Sequence, residues 1–535
     1  MVKQKFVLYI IMCVFFASIV SAQSYPPSRP TFAVLITIDG LQSEHLSALW
    51  SRFEGNGFKK AVNSGFFAQN ALFNYVSSSY ATDYASIFTG TTPANHGIVS
   101  DRIYSVIEDD FVPIILDEKY HGIGANRDCS PKNIAVMNIA DCLKLADREA
   151  KVFSIGLTPE AAIIMGGHSA DGVVWLDDSG QLASSDFYKM LPAWAEKMNM
   201  LGIVSNCLQA KWQPMAMLHT YKNPPFFITS DNCFYVPEDT HSRGVARNGA
   251  TATAMQNFRR TPSANSLIKD LAVKAIRNER LGLGNETDML CLNFSLMPVN
   301  QDFAELNSAE KEDMYMHLDH DLKELFIVID QNTGLENTVI VITGTQTEKY
   351  SPKTLKNNNI TVGKFDGKRA MALLNSFLMA KYGQGRWILS FNSHQILLNQ
   401  PLIEQERVDK EKMCKDITQF LTTLQGVETA YTKEEILSAE SCGNNTAARL
   451  KNSFYPKFSG DISVVLKTGW TELNIDSQPA QITSVAPDYA PLIIFGANIS
   501  AQKTQKTVEI IDITPTICRM LQIPLHSCTG KVIEW

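Results

Sequence analysis

Apolar residues run almost unbroken through Phe32 to Ile38, Thr338 to Thr343 and Pro491 to Phe495, where a half-exposed strand would alternate. Short runs of this kind, rich in β-branched residues and bounded by turns, predict strands buried on both faces of an open sheet. The first ends at Asp39-Gly40 and the second at Gly344-Thr345, the carboxyl edge where such sheets place their sites. Between them Met314, Leu318, Leu322, Leu325 and Ile329 recur at helical spacing and predict an amphipathic helix over 308–331. Polar stretches rich in Gly, Asn and Pro at 219–265 and 350–366 predict loops, the first a loop-rich insertion over the site. There is no internal repeat or low-complexity tract. The pattern is that of an α/β chain with buried central strands.

The first 22 residues read differently. Lys3 and Lys5 precede an apolar stretch from Phe6 to Ile19, and Val20-Ser21-Ala22 forms a small-residue cleavage box. This is the signature of a secretory leader cut after Ala22, and the stretch is too short for a membrane span. The chain is expected to be exported, to the periplasm or outside the cell, with residues 23–535 as one mature domain. A formal charge of −7 over this length shows no basic excess, which argues against a nucleic-acid partner. Nine of the ten cysteines lie beyond Cys13 in the leader, and no C-x-x-C occurs, so a zinc ribbon is excluded. In an oxidising compartment Cys129–Cys142 and Cys518–Cys528 are the local candidates for pairing.

Two segments carry a resemblance. Thr31-Phe-Ala-Val-Leu-Ile-Thr-Ile-Asp-Gly-Leu41 and Ser86-Ile-Phe-Thr-Gly-Thr-Thr-Pro-Ala-Asn-His-Gly-Ile98 are similar to the opening of the alkaline-phosphatase superfamily, in its nucleotide pyrophosphatase/phosphodiesterase branch. Gly166-Gly-His-Ser-Ala-Asp171, Asn452 to Asp461 and Ile511-Asp-Ile-Thr-Pro-Thr516 resemble later family segments in the family's order. The resemblance implies a central, mostly parallel sheet between helical layers. It also implies two zinc ions about 4 Å apart, clamping the attacking and leaving oxygens of a phosphoryl transfer. Carboxylates offset the metal charge and neutral imidazoles complete the shells.

Set against that pattern, the chain departs at nearly every ligand. Asp39 matches the first carboxylate. Tyr80 stands where a Thr nucleophile is expected and Asp83 where a phosphate-holding Asn or Ser follows, leaving Ser79 and Thr82 as fallback nucleophiles. Pro298 and Asp302 occupy the Asp-x-x-x-His positions, Thr345 and Gln346 the Asp-His pair, and Ala480 the region of the last His. No histidine occurs between His320 and His394 or between His394 and His526. Thr158 and Glu160 replace the Lys and Arg that hold phosphate, and a carboxylate there withdraws roughly several kcal/mol of charge stabilisation.

The functional expectation is therefore an exported pseudophosphatase that acts by binding, with no metal cofactor. Its cleft would be lined by Tyr80, Tyr84, Gln346 and Tyr489, and its partner would be an envelope protein or a glycan. One alternative is a phosphomonoesterase or phosphodiesterase with a rebuilt zinc site; another is a structural subunit of an envelope assembly. His317, His320 and Asp321 share a helix face but read as a solvated charged surface. His96, His168 and Asp171 read as structural hydrogen-bonding residues.

Overall fold

Strand β1 (Phe32–Asp39) is buried along its whole length, and its residues alternate between two cores. Val34, Ile36 and Ile38 join one cluster, Ala33 and Leu35 the other. A strand covered on both faces cannot show period-2 polarity, hence the near-continuous apolar run. The computed structural model describes residues 29–225, 227–237, 248–299, 308–345, 356, 359–440, 445–472 and 487–535. The expected leader, Asp302, Gln346, Cys442 and Ala480 lie outside these residues.

Among the described residues the central sheet has eleven strands. In chain order they are β1, β2 (Phe66–Phe73), β3 (Gly122–Ile123), β4 (Val152–Gly156), β5 (Gly172–Leu176), β6 (Leu182–Ser185), β7 (Asp288–Ser295) and β8 (Thr338–Gly344). They end with β9 (Asp488–Gly496), β10 (Gln502–Thr504) and β11 (Val508–Glu509). The order across the sheet is β10-β2-β9-β8-β1-β7-β4-β5-β6-β3, with β11 also on β2. β8, β1, β7, β4 and β5 are parallel, while β9 runs antiparallel between β8 and β2. The sheet is thus mostly parallel, as expected.

Helices α1 (Tyr80–Thr89), α2 (Ile139–Ala146) and α3 (Pro159–Gly166) contribute buried residues to one core, and α4 (Pro262–Glu279) and α5 (Ala309–Thr333) to the other. α5 matches the expected amphipathic helix within two residues at each end. The 219–265 stretch is less loop-like than expected, since Asn248–Phe258 is helical and α4 begins at Pro262. Met255 and Phe258 are buried there, so packing rather than periodicity made the helix.

A separate four-stranded antiparallel sheet, in the order Ile388–Asn392, Gln395–Leu398, Ile462–Leu466 and Val427–Thr432, has its own core around Leu374, Trp387 and Ile417. All eight described cysteines are thiols, so neither Cys129–Cys142 nor Cys518–Cys528 is bridged. Cys129 donates instead to the Arg127 carbonyl at 3.6 Å. Among the described residues no helix is long and apolar enough to cross a membrane.

Candidate functional site

Register sets the centre. β1 and β7 run parallel with Thr37 opposite Asn293 and Asp39 opposite Ser295, while β1 and β8 bring Ile38 opposite Gly344. Asp39, Asn293 and Thr345 therefore meet at the carboxyl edge from three neighbouring strands. The buried Asp39 carboxylate is encircled by donors. Tyr84 O–H lies 2.8 Å from both carboxylate oxygens, Thr345 O–H 2.8 Å from Oδ1, and Asn293 Nδ2 3.2 Å from Oδ2. Burial dominates its acidity and lifts the pKa to about 6, against the pull of these three donors. The Tyr84 phenol is raised well above its usual range by burial and then by Asp39, so it stays protonated and remains a donor.

This donor set does not fit zinc. A dication takes thiolate, imidazole or carboxylate ligands, and here one carboxylate faces a protonated phenol, a hydroxyl and an amide. The surroundings agree. Pro298 is buried just beyond β7. A Cβ placed on Gly40 would lie 2.6 Å from the Met297 sulfur and 3.3 Å from Lys311 Nζ, so a thioether and a buried ammonium crowd the turn after Asp39. Tyr315 reaches the same turn, accepting the Gln42 N–H at 3.0 Å. Among the described residues no group of three His, Cys, Asp or Glu side chains is arranged to hold a metal.

The nucleophile region is built as helix cap. α1 starts at Tyr80, with Ser79 as N-cap accepting from Thr82 N–H at 3.3 Å. The hydroxyls of Ser78 and Ser79 lie 3.0 and 3.1 Å from that of Thr82. Ser79 and Thr82 are fully buried, so these fallback nucleophiles spend their oxygens on local structure. Tyr80 is partly buried against the core at the first helical position, and Tyr84, one turn on, points at Asp39. Asp83 turns away to accept from Ser77 at 2.8 Å and Tyr75 at 3.1 Å.

α3 repeats the theme. Thr158 caps it by accepting from Ala161 N–H, and Glu160 pairs with Arg127 at 3.2 Å. Burial raises the Glu160 carboxyl, with Arg127 opposing and nearby Asp101 adding to the rise.

The expected aromatic cleft needs correction. Tyr84 is 2% exposed and is a buried donor rather than a wall. Tyr489 is 42% exposed, and Gln346 lies outside the described residues. His317 lies 3.2 Å from Asp313, and His320 pairs with Glu54 at 2.9 Å. His168 sits 3.0 Å from Asp141, and Asp171 pairs with Lys144 at 2.9 Å. His96 accepts Ile98 N–H on Nδ1 at 3.1 Å, which leaves Nε2–H to donate to Ser86 at 2.9 Å. Asn293, Met297 and Lys311 escaped the sequence reading. The available signal was an Asn set inside the apolar run Met289 to Phe294.

A family model described as type I phosphodiesterase/nucleotide pyrophosphatase matches residues 33–131. A Myroides odoratus protein described as a calcium-transporting ATPase is 28% identical over 529 residues, spanning 96% of this chain and 95% of its own length. Alkaline phosphatase PhoV of Synechococcus elongatus is 26% identical over 525 residues, spanning 95% of this chain and 92% of its own. The crystal structure of wild-type alkaline phosphatase PafA superposes with a TM-score of 0.83 at 24% identity, covering 95% of this chain and 99% of that one. This last likeness establishes the fold.

Proposed function

We propose, from the premise that the chain belongs to the alkaline-phosphatase superfamily in its nucleotide pyrophosphatase/phosphodiesterase-like branch, that it is an exported binding protein which no longer transfers phosphoryl groups. The observation that carries this reading is the Asp39 carboxylate satisfied by Tyr84, Thr345 and Asn293. In a metal-dependent site that carboxylate faces a cation; here three uncharged donors take its lone pairs. The rest of the machinery points the same way. The Thr158 hydroxyl is committed to a helix cap, and a buried Glu160 paired with Arg127 stands where a phosphate would need free positive charge.

What remains is a rim in which Tyr80, at the start of α1, offers a ring with a polar tip. That chemistry suits stacking on a sugar or packing against a peptide from an envelope partner. A second reading, a metal-dependent phosphoric ester hydrolase, is favoured by the relatives named alkaline phosphatase, which match over nearly the full chain.

Steady-state assay of aryl phosphate monoesters and diesters, with zinc supplied, separates the two. The binding reading expects turnover no greater than that of the heat-inactivated protein. Turnover that is lost on Ser79→Ala or Thr82→Ala would establish a relocated nucleophile and restore the hydrolase.

A further inference from the structure

Between Trp212 and Tyr221 the chain turns alternate residues to the core and to water. Ala216 and Leu218 pack against the core that α4 and α5 help to build. Met215, Met217 and His219 alternate with them and are exposed, the two methionines to 44% and 73%. Elsewhere methionine serves this chain as a core residue, as at Met165, Met255, Met289 and Met314, all fully buried. Two thioethers shown to solvent on alternate residues, with an imidazole next in the series, make a ligand pattern and not a packing one.

The backbone beneath them is fixed at nearly every step. The fully buried Asp313 carboxylate of α5 accepts Trp212 Nε1–H at 2.7 Å, Met215 N–H at 2.7 Å and the Tyr221 O–H. The Tyr221 oxygen in turn accepts Ala216 N–H at 3.1 Å. Thr220 N–H donates to the Met217 carbonyl at 2.8 Å, closing a tight turn through His219, and Arg52 holds the Thr220 carbonyl at 2.7 Å. Residues two apart in a chain have Cα atoms at most about 7 Å apart, so Met217 stands within side-chain reach of both Met215 and His219. A methionine's rotatable bonds let its sulfur settle on a shared point. The His219 ring makes no hydrogen bond or ion pair with another described residue, so its nitrogens are open to a ligand.

We propose that Met215, Met217 and His219 form a surface site for a soft monovalent cation, Cu(I), bound by two thioether sulfurs and one imidazole nitrogen. Thioether sulfur is a soft, neutral donor. It offsets none of the charge of a dication, and zinc, calcium and magnesium look instead for thiolate, imidazole or oxygen ligands. Thioether and imidazole together suit copper, and thioether selects its monovalent state. Among the described residues no group of three His, Cys, Asp or Glu is arranged to hold a metal, and this set differs in kind because two of its three donors are methionines. The site shares no residue with the Asp39 centre and is independent of whether that centre binds or hydrolyses.

Accessible thiols also take Cu(I), so the folded full chain is first alkylated with iodoacetamide. It is then titrated anaerobically, under ascorbate, into Cu(I) held by bicinchoninate, whose colour fades as copper passes to the protein. The expected result is one Cu(I) withdrawn per chain, with the methyl resonances of two isotope-labelled methionines shifted. The double change Met215→Leu with Met217→Leu should withdraw none, and His219→Gln should withdraw less. Both variants should melt with the wild type, since all three side chains are exposed. Met200→Leu, at an exposed methionine outside the set, should behave as wild type. No withdrawal by the wild type, or withdrawal that survives the double change, overturns the assignment.

Discussion

Asp39 and His96 show how two buried titratable groups pull stability in opposite directions with pH. The folded Asp39 carboxyl titrates near 6 against 3.8 unfolded, because burial penalises the charge more than three donors relieve it. Its contribution is fully present below the unfolded value and is lost as pH rises through 6, a change of about 3 kcal/mol. Asp39→Asn removes that titration. The variant should therefore gain on the wild type as pH rises from 4 to 7, by up to about 3 kcal/mol in chemical denaturation. A flat difference across that range would mean that Asp39 is not buried as described. Tyr84→Phe takes away the donor that bridges both oxygens and should cost about 1–3 kcal/mol near neutral pH. Equal stability of that variant and the wild type would show that Tyr84 does not hold the carboxylate. His96 works in the other sense. Burial lowers it from 6.5 to about 3, so its contribution is present above 6.5 and lost as pH falls toward 3, up to about 5 kcal/mol. His96→Gln should accordingly flatten the acid limb of the stability curve, read by denaturation midpoints between pH 6.5 and 4; an unchanged acid limb would count against a neutral buried imidazole.

At the scale of elements, two helix starts beside the candidate site are closed by side-chain caps. Ser79 closes α1 and Thr158 closes α3, each through a side-chain oxygen on an early N–H. Ser79→Ala and Thr158→Ala should each lower stability by about 1 kcal/mol, measured by thermal or urea unfolding. A loss confined to some activity, with unfolding unchanged, would point to chemistry at those hydroxyls. Strands β1 and β8 and helix α5 were legible in the sequence because burial on two faces, or on one stripe, leaves a periodic signature in the residues themselves. The departure from the ligand pattern at Tyr80, Pro298 and Thr345 is a reading of the sequence itself, since a missing donor type is visible without coordinates. The partners of Asp39 were not. Asn293 lies 254 residues away in sequence, and only the β1–β7 register brings it to the carboxylate. Tyr84 was read as a wall of the same cleft as Tyr80. The packing of α1 against the sheet then carries it past the rim into the core. The Asn248–Phe258 helix escaped for a related reason: its sequence lacks a clear stripe, and tertiary contacts at Met255 and Phe258 supply what periodicity does not.

For the whole molecule, the fold is that seen in alkaline phosphatase PafA, and the proposed binding role rests on what lies inside that frame. The eleven-stranded sheet, its two flanking cores and the smaller antiparallel lobe superpose on an alkaline phosphatase across nearly the entire chain. Inside that frame the centre is held by neutral donors on a single carboxylate, with a buried Lys311 beside the next turn. If these donors stand in for metal, the centre has no use for zinc, and a zinc titration decides the matter. Metal-stripped protein is titrated with zinc at neutral pH by calorimetry, then dialysed and its metal content measured. No saturable high-affinity heat and well under one zinc per chain after dialysis are expected. Two tightly held zinc ions per chain would contradict this and return the protein to the hydrolases.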